Sequence, residues 1–450
     1  MEIRSLVRIV VFAVTAAICT LQILWLLIIL PEILQRNLGF AAKDVAMASA
    51  YFYNAHFAGM IVSCFLWPAI NRKLSKRASM MLGLVAVFTF NTFMAFLPSF
   101  LWLCFWIFMV GVFSNTNSIG KDFIFEFVLK TMERQYALSV KSMFNIVSMF
   151  GGPFLGYSLY RSFGADFSKA ILVISALFLA VIIVFFFVFF VDYDLSAQLK
   201  LDNSLEESEP LSGETGRARQ PPRSMWVLFK ECFSNPYLRS LMLTYIITNA
   251  FTKSANVIII IYSESLWSDS GLGLSSHTIS LISLCSILPS LVILLQTPLY
   301  VPKRIHYFTF IRFMVSLMIV TVVSVPIFRD VFTPETINNA LVFLVISFIF
   351  WSNPKTFSPF VNFLLNSEVG KHERTTLNAS LFFMQIVGAM VAMQFFAYLY
   401  KLMLYSSLSV SLGSAAKYIP FSLLAVILAV PIIMLNKKNF APIRTDLISI

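Results

Sequence analysis

Three polar residues interrupt one apolar segment at helical spacing, and they are the clearest candidates for chemistry. Asn249, Lys253 and Asn256 stand at positions i, i+4 and i+7, on one face of a helix. If the helix starts near residue 238, Lys253 lies roughly 22 Å along it, beyond the middle of an apolar layer about 30 Å thick. An ammonium group at that depth must line an aqueous cavity, lose its proton or meet an anion. The segment therefore predicts a binding site, and a lysine that snorkels to the headgroups is the alternative.

Other apolar segments carry polar residues of the same kind. The predicted substrate-binding set comprises Gln22, Asn54, Asn115, Asn117, Asn145, Asn249, Lys253, Asn256, Asn353, Lys355 and Gln385. For each isolated Asn or Gln, a hydrogen bond between helices is an equal alternative. His56 is expected to be a packed, hydrogen-bonded core histidine. Because Lys253 and Lys355 have no equally deep acidic counterpart, the pattern predicts a solute with negative charge or a carboxylate.

The segments that position these residues are those of an integral membrane protein. Of the 450 residues, 58% are hydrophobic and only 12% are charged, and the mean hydropathy is +0.82. A bilayer-spanning helix needs about 20 apolar residues. Twelve runs satisfy this, at about 8–31, 45–68, 78–97, 99–120, 137–162, 168–191, 238–262, 274–300, 305–327, 338–362, 378–403 and 416–436. The first run is too long for a signal peptide and is expected to be retained.

A polar stretch divides these runs six and six. Residues 201–222 hold four glutamates, two arginines and a Pro-Pro pair, which is typical of a disordered linker. The segment Met225–Phe233 favours a helix in the membrane interface, and Asn235-Pro236 can cap the next helix. The predicted organisation is an N-terminal six-helix half (1–191), a cytosolic linker with the interfacial helix (192–236) and a C-terminal six-helix half (237–450).

The charges predict orientation rather than a polyanionic partner. The net charge is +11, but most of the 33 Lys and Arg residues lie in short clusters between runs on the side of the N-terminus. This distribution predicts cytosolic N- and C-termini. It excludes nucleic-acid binding, which needs a continuous solvated basic face. We expect no disulfide, metal site, cofactor or catalytic constellation, and hence no enzyme: the five cysteines lack metal-ligand spacing, and no extracellular loop holds two.

The two halves share a short internal sequence similarity. The segment from Glu133 to Tyr160 aligns without gaps on Glu373 to Tyr400, with Asn145 on Gln385. This places the fifth span on the eleventh, as expected for two halves related by an axis along the membrane normal.

Architecture and motifs together resemble the major facilitator superfamily. The run Gly152-Pro153-Phe154-Leu155-Gly156 is similar to its antiporter motif: the glycines permit close helix packing, and the proline frees a carbonyl and permits a bend. Ordinary packing with a kink is the alternative. The loop Asn71–Arg77 resembles the superfamily's cytosolic latch, although it has no acid and has Ser75 in place of glycine; a positive-inside anchor is the alternative. The resemblance implies a gating set of Arg72, Lys76, Arg77, Gly152, Pro153 and Gly156.

One branch of that superfamily is similar in further detail. Gly111, Lys121 and Glu126 keep a spacing found in the drug–proton antiporter and zinc-induced-facilitator-like branch. The branch's Arg four residues before Gly111, tied to proton coupling, is Ile107 here.

The resemblance implies an all-α membrane protein of twelve transmembrane helices in two pseudo-symmetric halves. Its expected function is secondary active transport of a small organic solute, anionic or a metal chelate, by alternating access, with proton antiport as one coupling mode. The alternative is a transporter-like chaperone, trafficking or regulatory partner without transport. The expected partners are the small-molecule substrate, the lipid bilayer and protons, the expected state is a monomer, and the expected location is the plasma membrane or an endomembrane such as the vacuole or lysosome.

Overall fold

The structure, a computed structural model, is built of α-helices throughout the part of the chain it describes. It describes residues 3–71, 73–96, 99–114, 131–191, 225–264, 272–285, 307–331, 374–405 and 418–435, together with residues 291, 361, 365, 411 and 416. The helices are α1 (Ile3–Leu24), α2 (Leu26–Arg36), α3 (Ala42–Asn71), α4 (Lys76–Met94), α5 (Phe100–Phe113), α6 (Thr131–Ser162), α7 (Phe167–Phe186, continued by a π-turn over Phe187–Val191), α8 (Met225–Ser234), α9 (Pro236–Glu264), α10 (Ser276–Cys285), α11 (Tyr307–Val331), α12 (Arg374–Tyr405) and α13 (Tyr418–Met434).

Three helices are both long and apolar enough to cross a membrane by themselves. They contain Arg77–Met94, Phe167–Val191 and Leu377–Met403, and four shorter apolar helices accompany them in the described residues. Helices α3, α6 and α9 have 30, 32 and 29 residues, so each exceeds the thickness of a bilayer core by length. The prediction of twelve spans extends into segments outside the described residues, including most of 338–362, and stays a prediction there.

The first predicted span is two helices rather than one. Sequence predicts a continuous run over 8–31, but α1 ends at Leu24 and α2 begins at Leu26. Trp25 at the junction is fully buried and stacks on Phe167, with ring centroids 5.9 Å apart. Pro31 inside α2 has no N–H to donate to the preceding turn, which weakens the hydrogen-bond ladder just after the break.

Close backbone packing fixes the helices within the N-terminal half. A Cβ on Gly59 of α3 would overlap the carbonyl oxygen of Phe108, and one on Gly111 of α5 would overlap that of His56. Likewise, a Cβ on Gly156 of α6 would overlap the carbonyl oxygen of Trp25. These side-chain-free positions let helix backbones touch.

The C-terminal half repeats one of these pairings. Gly388 of α12 faces α9, where a Cβ would lie 3.2 Å from that of Ala250. In the N-terminal half, α6 packs on α1 and α2; in the C-terminal half, α12 packs on α9. Each half therefore packs its first predicted span against its fifth.

The halves meet along two seams. Helix α3 lies against α12, where Phe65 and Phe383 contact with ring centroids 5.7 Å apart. Helix α6 lies against α10, where Tyr157 and His277 contact at 5.7 Å. One apolar cluster includes Trp25 and Phe52 from the N-terminal half and Ala250 and Met393 from the C-terminal half. A second apolar cluster also contains residues of both halves, for example Phe150 and Leu381.

A short helix precedes the second half where sequence predicts one. Helix α8 spans Met225–Ser234, and Trp226 packs edge-on against Phe383 of α12 at 5.6 Å. Asn235 caps α9 by accepting a hydrogen bond from the Tyr237 amide at 3.0 Å. The linker 201–222 lies outside the described residues.

Candidate functional site

Helix α9 carries the predicted polar face of Asn249, Lys253 and Asn256. It runs without interruption from Pro236 to Glu264, so the backbone of Lys253 lies about 16 Å from its C-terminal end. The half-buried Asn249 donates its Nδ2 to the carbonyl oxygen of Tyr245 at 2.8 Å. The side chains of Lys253 and Asn256 lie outside the described residues, and their role stays a prediction.

Asn54 makes a hydrogen bond between helices, which was the alternative to substrate binding. Its Nδ2 donates to Oε1 of Gln394 at 3.1 Å, and Nε2 of Gln394 lies 3.9 Å from Sδ of Met47. The bond joins α3 to α12 and thus one half to the other. The Asn54 Oδ1 is buried without a described donor, so it can still accept a hydrogen bond from a ligand or water.

Three other polar residues singled out in the sequence are buried or half-buried. Asn145 is half-buried on α6, and its repeat partner Gln385 is buried on α12. His56 is buried, and its Nδ1 lies 3.4 Å from the carbonyl oxygen of Ile107, as expected for a packed core histidine.

The remaining predicted site residues cannot be placed by contacts. Outside the described residues lie Asn115, Asn117, Asn353, Lys355 and Arg72. Gln22 lies on α1 and Lys76 opens α4, and the side chains of both are also outside the described set.

The predicted gating glycines are packing positions against the broken first span. Gly156 faces the Trp25 carbonyl, and a Cβ on Gly152 would lie 3.3 Å from that of Leu24. Pro153 is buried between them within the continuous helix α6. In the cytosolic loop motif, Arg77 donates from Nη1 to the Phe189 carbonyl oxygen at 3.2 Å, inside its own half. Ser75, which replaces the motif's glycine, caps α4 by accepting from the Ala78 amide at 3.3 Å.

Lys141 is not a member of the substrate-binding set predicted from the sequence. This side chain is only 8% exposed, and its ammonium lies 5.9 Å from the centroid of the Phe12 ring of α1, within cation–π range. Lys141, Asn145 and Ser148 repeat the i, i+4, i+7 spacing of the α9 face, and this signal could have identified it. A buried cation inside a membrane bundle is a candidate functional residue.

Several ion pairs among the described residues lie at one end of the bundle. Here "outer" means the side at which α2 and α12 end, the side that the Lys and Arg distribution predicts to be non-cytosolic. Lys401 pairs with Asp44 at 2.7 Å across the halves. Glu32 pairs with Arg36 at 3.0 Å and Arg161 at 3.2 Å, and Glu264 accepts from the Ser276 hydroxyl at 2.9 Å. The hydrogen bond from Lys401, aided by the charges of Lys401 and Lys43, holds the pKa of Asp44 below its usual range.

Metal-ligating groups do not cluster among the described residues. No group of three or more His, Cys, Asp or Glu side chains could hold an ion there. All five cysteines are free thiols.

Comparison with known proteins places this architecture. The sequence profile of the Major Facilitator Superfamily matches residues 10–393. The structure is similar to that of the human organic anion transporter MFSD10 (TETRAN), with a TM-score of 0.63 and 16% identity over 97% of this chain and 100% of that one. It is also similar to a D-xylose-proton symporter, with a TM-score of 0.64 and 12% identity over 96% of this chain and 97% of that one. No curated protein matches the sequence significantly.

The family and both structural neighbours are transporters rather than enzymes, as the sequence analysis expected. Proteins of this family cross the membrane several times, so the multi-pass location is confirmed, whereas the drug–proton antiporter branch stays a prediction. Because the family profile covers most of the sequence and the helical fold agrees with it, the chain belongs to the Major Facilitator Superfamily.

Proposed function

We propose that this secondary transporter moves a small organic solute that carries negative charge, as a carboxylate or as a metal chelate. It works by alternating access, in which two halves rock around a site near the middle of the membrane. A proton gradient is the proposed driving force, in antiport. The plasma membrane or an endomembrane such as the vacuole or lysosome is the proposed location, and the chain acts as a monomer.

The observation that carries the proposal is the position of Lys253 on an unbroken helix. Eleven residues separate it from the outer end of α9 and seventeen from the other end, so its backbone is well inside the apolar layer. A cation at that depth is costly unless an anion or a wet cavity meets it. Among membrane-embedded groups, it is therefore the best-placed counterion for an anionic solute.

The buried lysine of helix α6 supports the same solute class. Lys141 of α6 is surrounded by protein and lies over the Phe12 ring of α1, the first helix of the same half. One structural neighbour is described as an organic anion transporter, which is compatible with an anionic solute, although similarity of fold alone does not transfer a substrate.

The test is flux through purified protein in liposomes, with a panel of small carboxylates and metal chelates and with or without a pH gradient. We expect gradient-driven flux of at least one anionic solute, and about a tenfold or greater loss in Lys253→Ala and in Lys355→Ala, because removing a buried charge partner costs several kcal/mol. Lys169→Ala is the matched control, since this lysine is 64% exposed and pairs only locally with Asp166.

Two results would contradict the proposal in different ways. Undiminished anion flux in both lysine variants would show that the substrate is not held by these cations. Folded protein without flux across the whole panel would favour the transporter-like partner that acts as a chaperone or regulator.

A further inference from the structure

The described contacts between α3 and α12 are polar toward one end of the seam and apolar toward the other. At the outer end, Lys401 forms an ion pair with Asp44 at 2.7 Å. Deeper in, Gln394 accepts a hydrogen bond from Asn54 at 3.1 Å and contacts Met47. Near the opposite end, the described contact is apolar, between Phe65 and Phe383. Polar contacts across the halves are thus concentrated toward the outer side of the described seam.

The cytosolic loop motif differs in charge from its counterpart in the superfamily. Its counterpart in the superfamily pairs an acid with basic residues, whereas Asn71–Arg77 contains no acid. Arg77 uses Nη1 to bind the Phe189 carbonyl, which belongs to the same half. The charged contact across the halves that the structure describes lies on the outer side, between Lys401 and Asp44.

We propose that Asp44, Asn54, Gln394 and Lys401 form an outer latch that holds the two halves together and keeps the outer side of the transporter closed. The ion pair and the amide bond each join one residue of α3 to one of α12, so opening the outer side along this seam must break both. The amide bond lies within the apolar layer, where water cannot easily replace it. The ion pair lies at the aqueous edge and orients the helix ends.

The proposal can be tested without transport, because Met47 lies beneath the ion pair and touches Gln394. In a Met47→Cys background, the rate at which a water-soluble maleimide labels the introduced thiol in detergent-purified protein reports opening of the seam. Mass spectrometry separates this thiol from the five native cysteines. We expect Lys401→Ala to raise the labelling rate about two- to fivefold, the range for an exposed ion pair. Gln394→Leu should raise it about threefold, by loss of one hydrogen bond between membrane helices.

Two controls make the result specific. Lys169→Ala breaks an exposed ion pair of 3.2 Å that lies within one half, and it should leave labelling at position 47 unchanged. The charge exchange Asp44→Lys with Lys401→Asp restores an ion pair with reversed polarity, and it should return labelling toward the slow rate.

Equal labelling in all variants, in protein shown to be folded at the temperature of labelling, would overturn the latch. So would faster labelling in Lys401→Ala that the charge exchange fails to reverse. The latch rests on the proposed rocking of two halves, but its readout requires no solute. Its failure is therefore distinguishable from an absence of flux in liposomes.

Discussion

At the scale of single residues, asparagine side chains have different roles at different positions. Asn54 joins two halves through Gln394, Asn249 bonds to its own helix, and Asn235 caps one. Sequence could place each amide on a helix but could not identify its partner, because the partner of Asn54 is 340 residues away. Lys401 and Asp44 illustrate the same limit, since their pairing depends on which helix ends meet.

The Asp44–Lys401 pair should be insensitive to mild acid. Hydrogen bonding to Lys401 lowers the pKa of Asp44 in the folded protein, so the pair's contribution is present above the ordinary pKa of 3.8 and is lost only as pH falls through the lowered value. The difference in Tm between the wild type and Lys401→Ala should therefore be the same at pH 7.5 and pH 5.0.

The local pair Asp166–Lys169 is the control for this pH series, because the pKa of Asp166 is also lowered, chiefly by the Lys169 backbone N–H. Lys169→Ala should likewise show no change between the two pH values. A Tm difference for Lys401→Ala that collapses by pH 5.0 would show that Asp44 titrates in that range and that the pair is a proton-sensitive contact.

At the scale of helices, small residues decide which pairs approach closely. Gly156 faces the Trp25 carbonyl at the break between α1 and α2, whereas Gly152, one turn away, faces the Leu24 side chain. The sequence predicted close packing at both glycines, and the structure agrees. It could not predict the broken partner, because the break involves Trp25 and Pro31, which belong to a run of otherwise uniform apolar character.

Gly156→Ala should be more harmful than Gly152→Ala. The new methyl group at 156 meets a backbone carbonyl, which cannot move without displacing a helix, and such overpacking costs about 1–3 kcal/mol. At 152 the nearest atom is the Leu24 Cβ at 3.3 Å, so a displacement of only a few tenths of an ångström would relieve the contact. Thermal unfolding of both variants in one detergent tests the order, and equal Tm values would show that α1 and α2 adjust freely at their junction.

At the scale of the whole molecule, two helical halves meet along two seams, and both apolar clusters contain residues of both halves. Helix α3 packs against α12 in one seam, and α6 packs against α10 in the other. Each seam therefore consists of one helix from each half. The family relationship explains this layout and the matching pairings α1–α6 and α9–α12. The orientation in the membrane stays a prediction from charge, based on the retention of Lys and Arg on the cytosolic side.

The predicted orientation can be tested in intact cells with an impermeant maleimide. Ser162→Cys, exposed at the end of α6, should be labelled from outside when the protein is at the cell surface. Ser212→Cys in the linker should be labelled only after the membrane is made permeable. The unmodified chain, with its five native cysteines, gives the background, and the reverse pattern would show that the termini and linker are not cytosolic.

The sequence by itself determined the membrane class and the family, because apolar runs about 20 residues long and their flanking charges are local properties of the chain. The division around a polar linker stays a prediction from the same local properties. It also marked Gly152 and Gly156 as packing positions and His56 as a core residue. Only the tertiary structure decided that Asn54 meets Gln394, that Lys401 meets Asp44, that Lys141 is buried over Phe12 and that the first span breaks at Trp25. These features depend on contacts between distant segments, and helical periodicity specifies a face of each helix but not the helix that covers it.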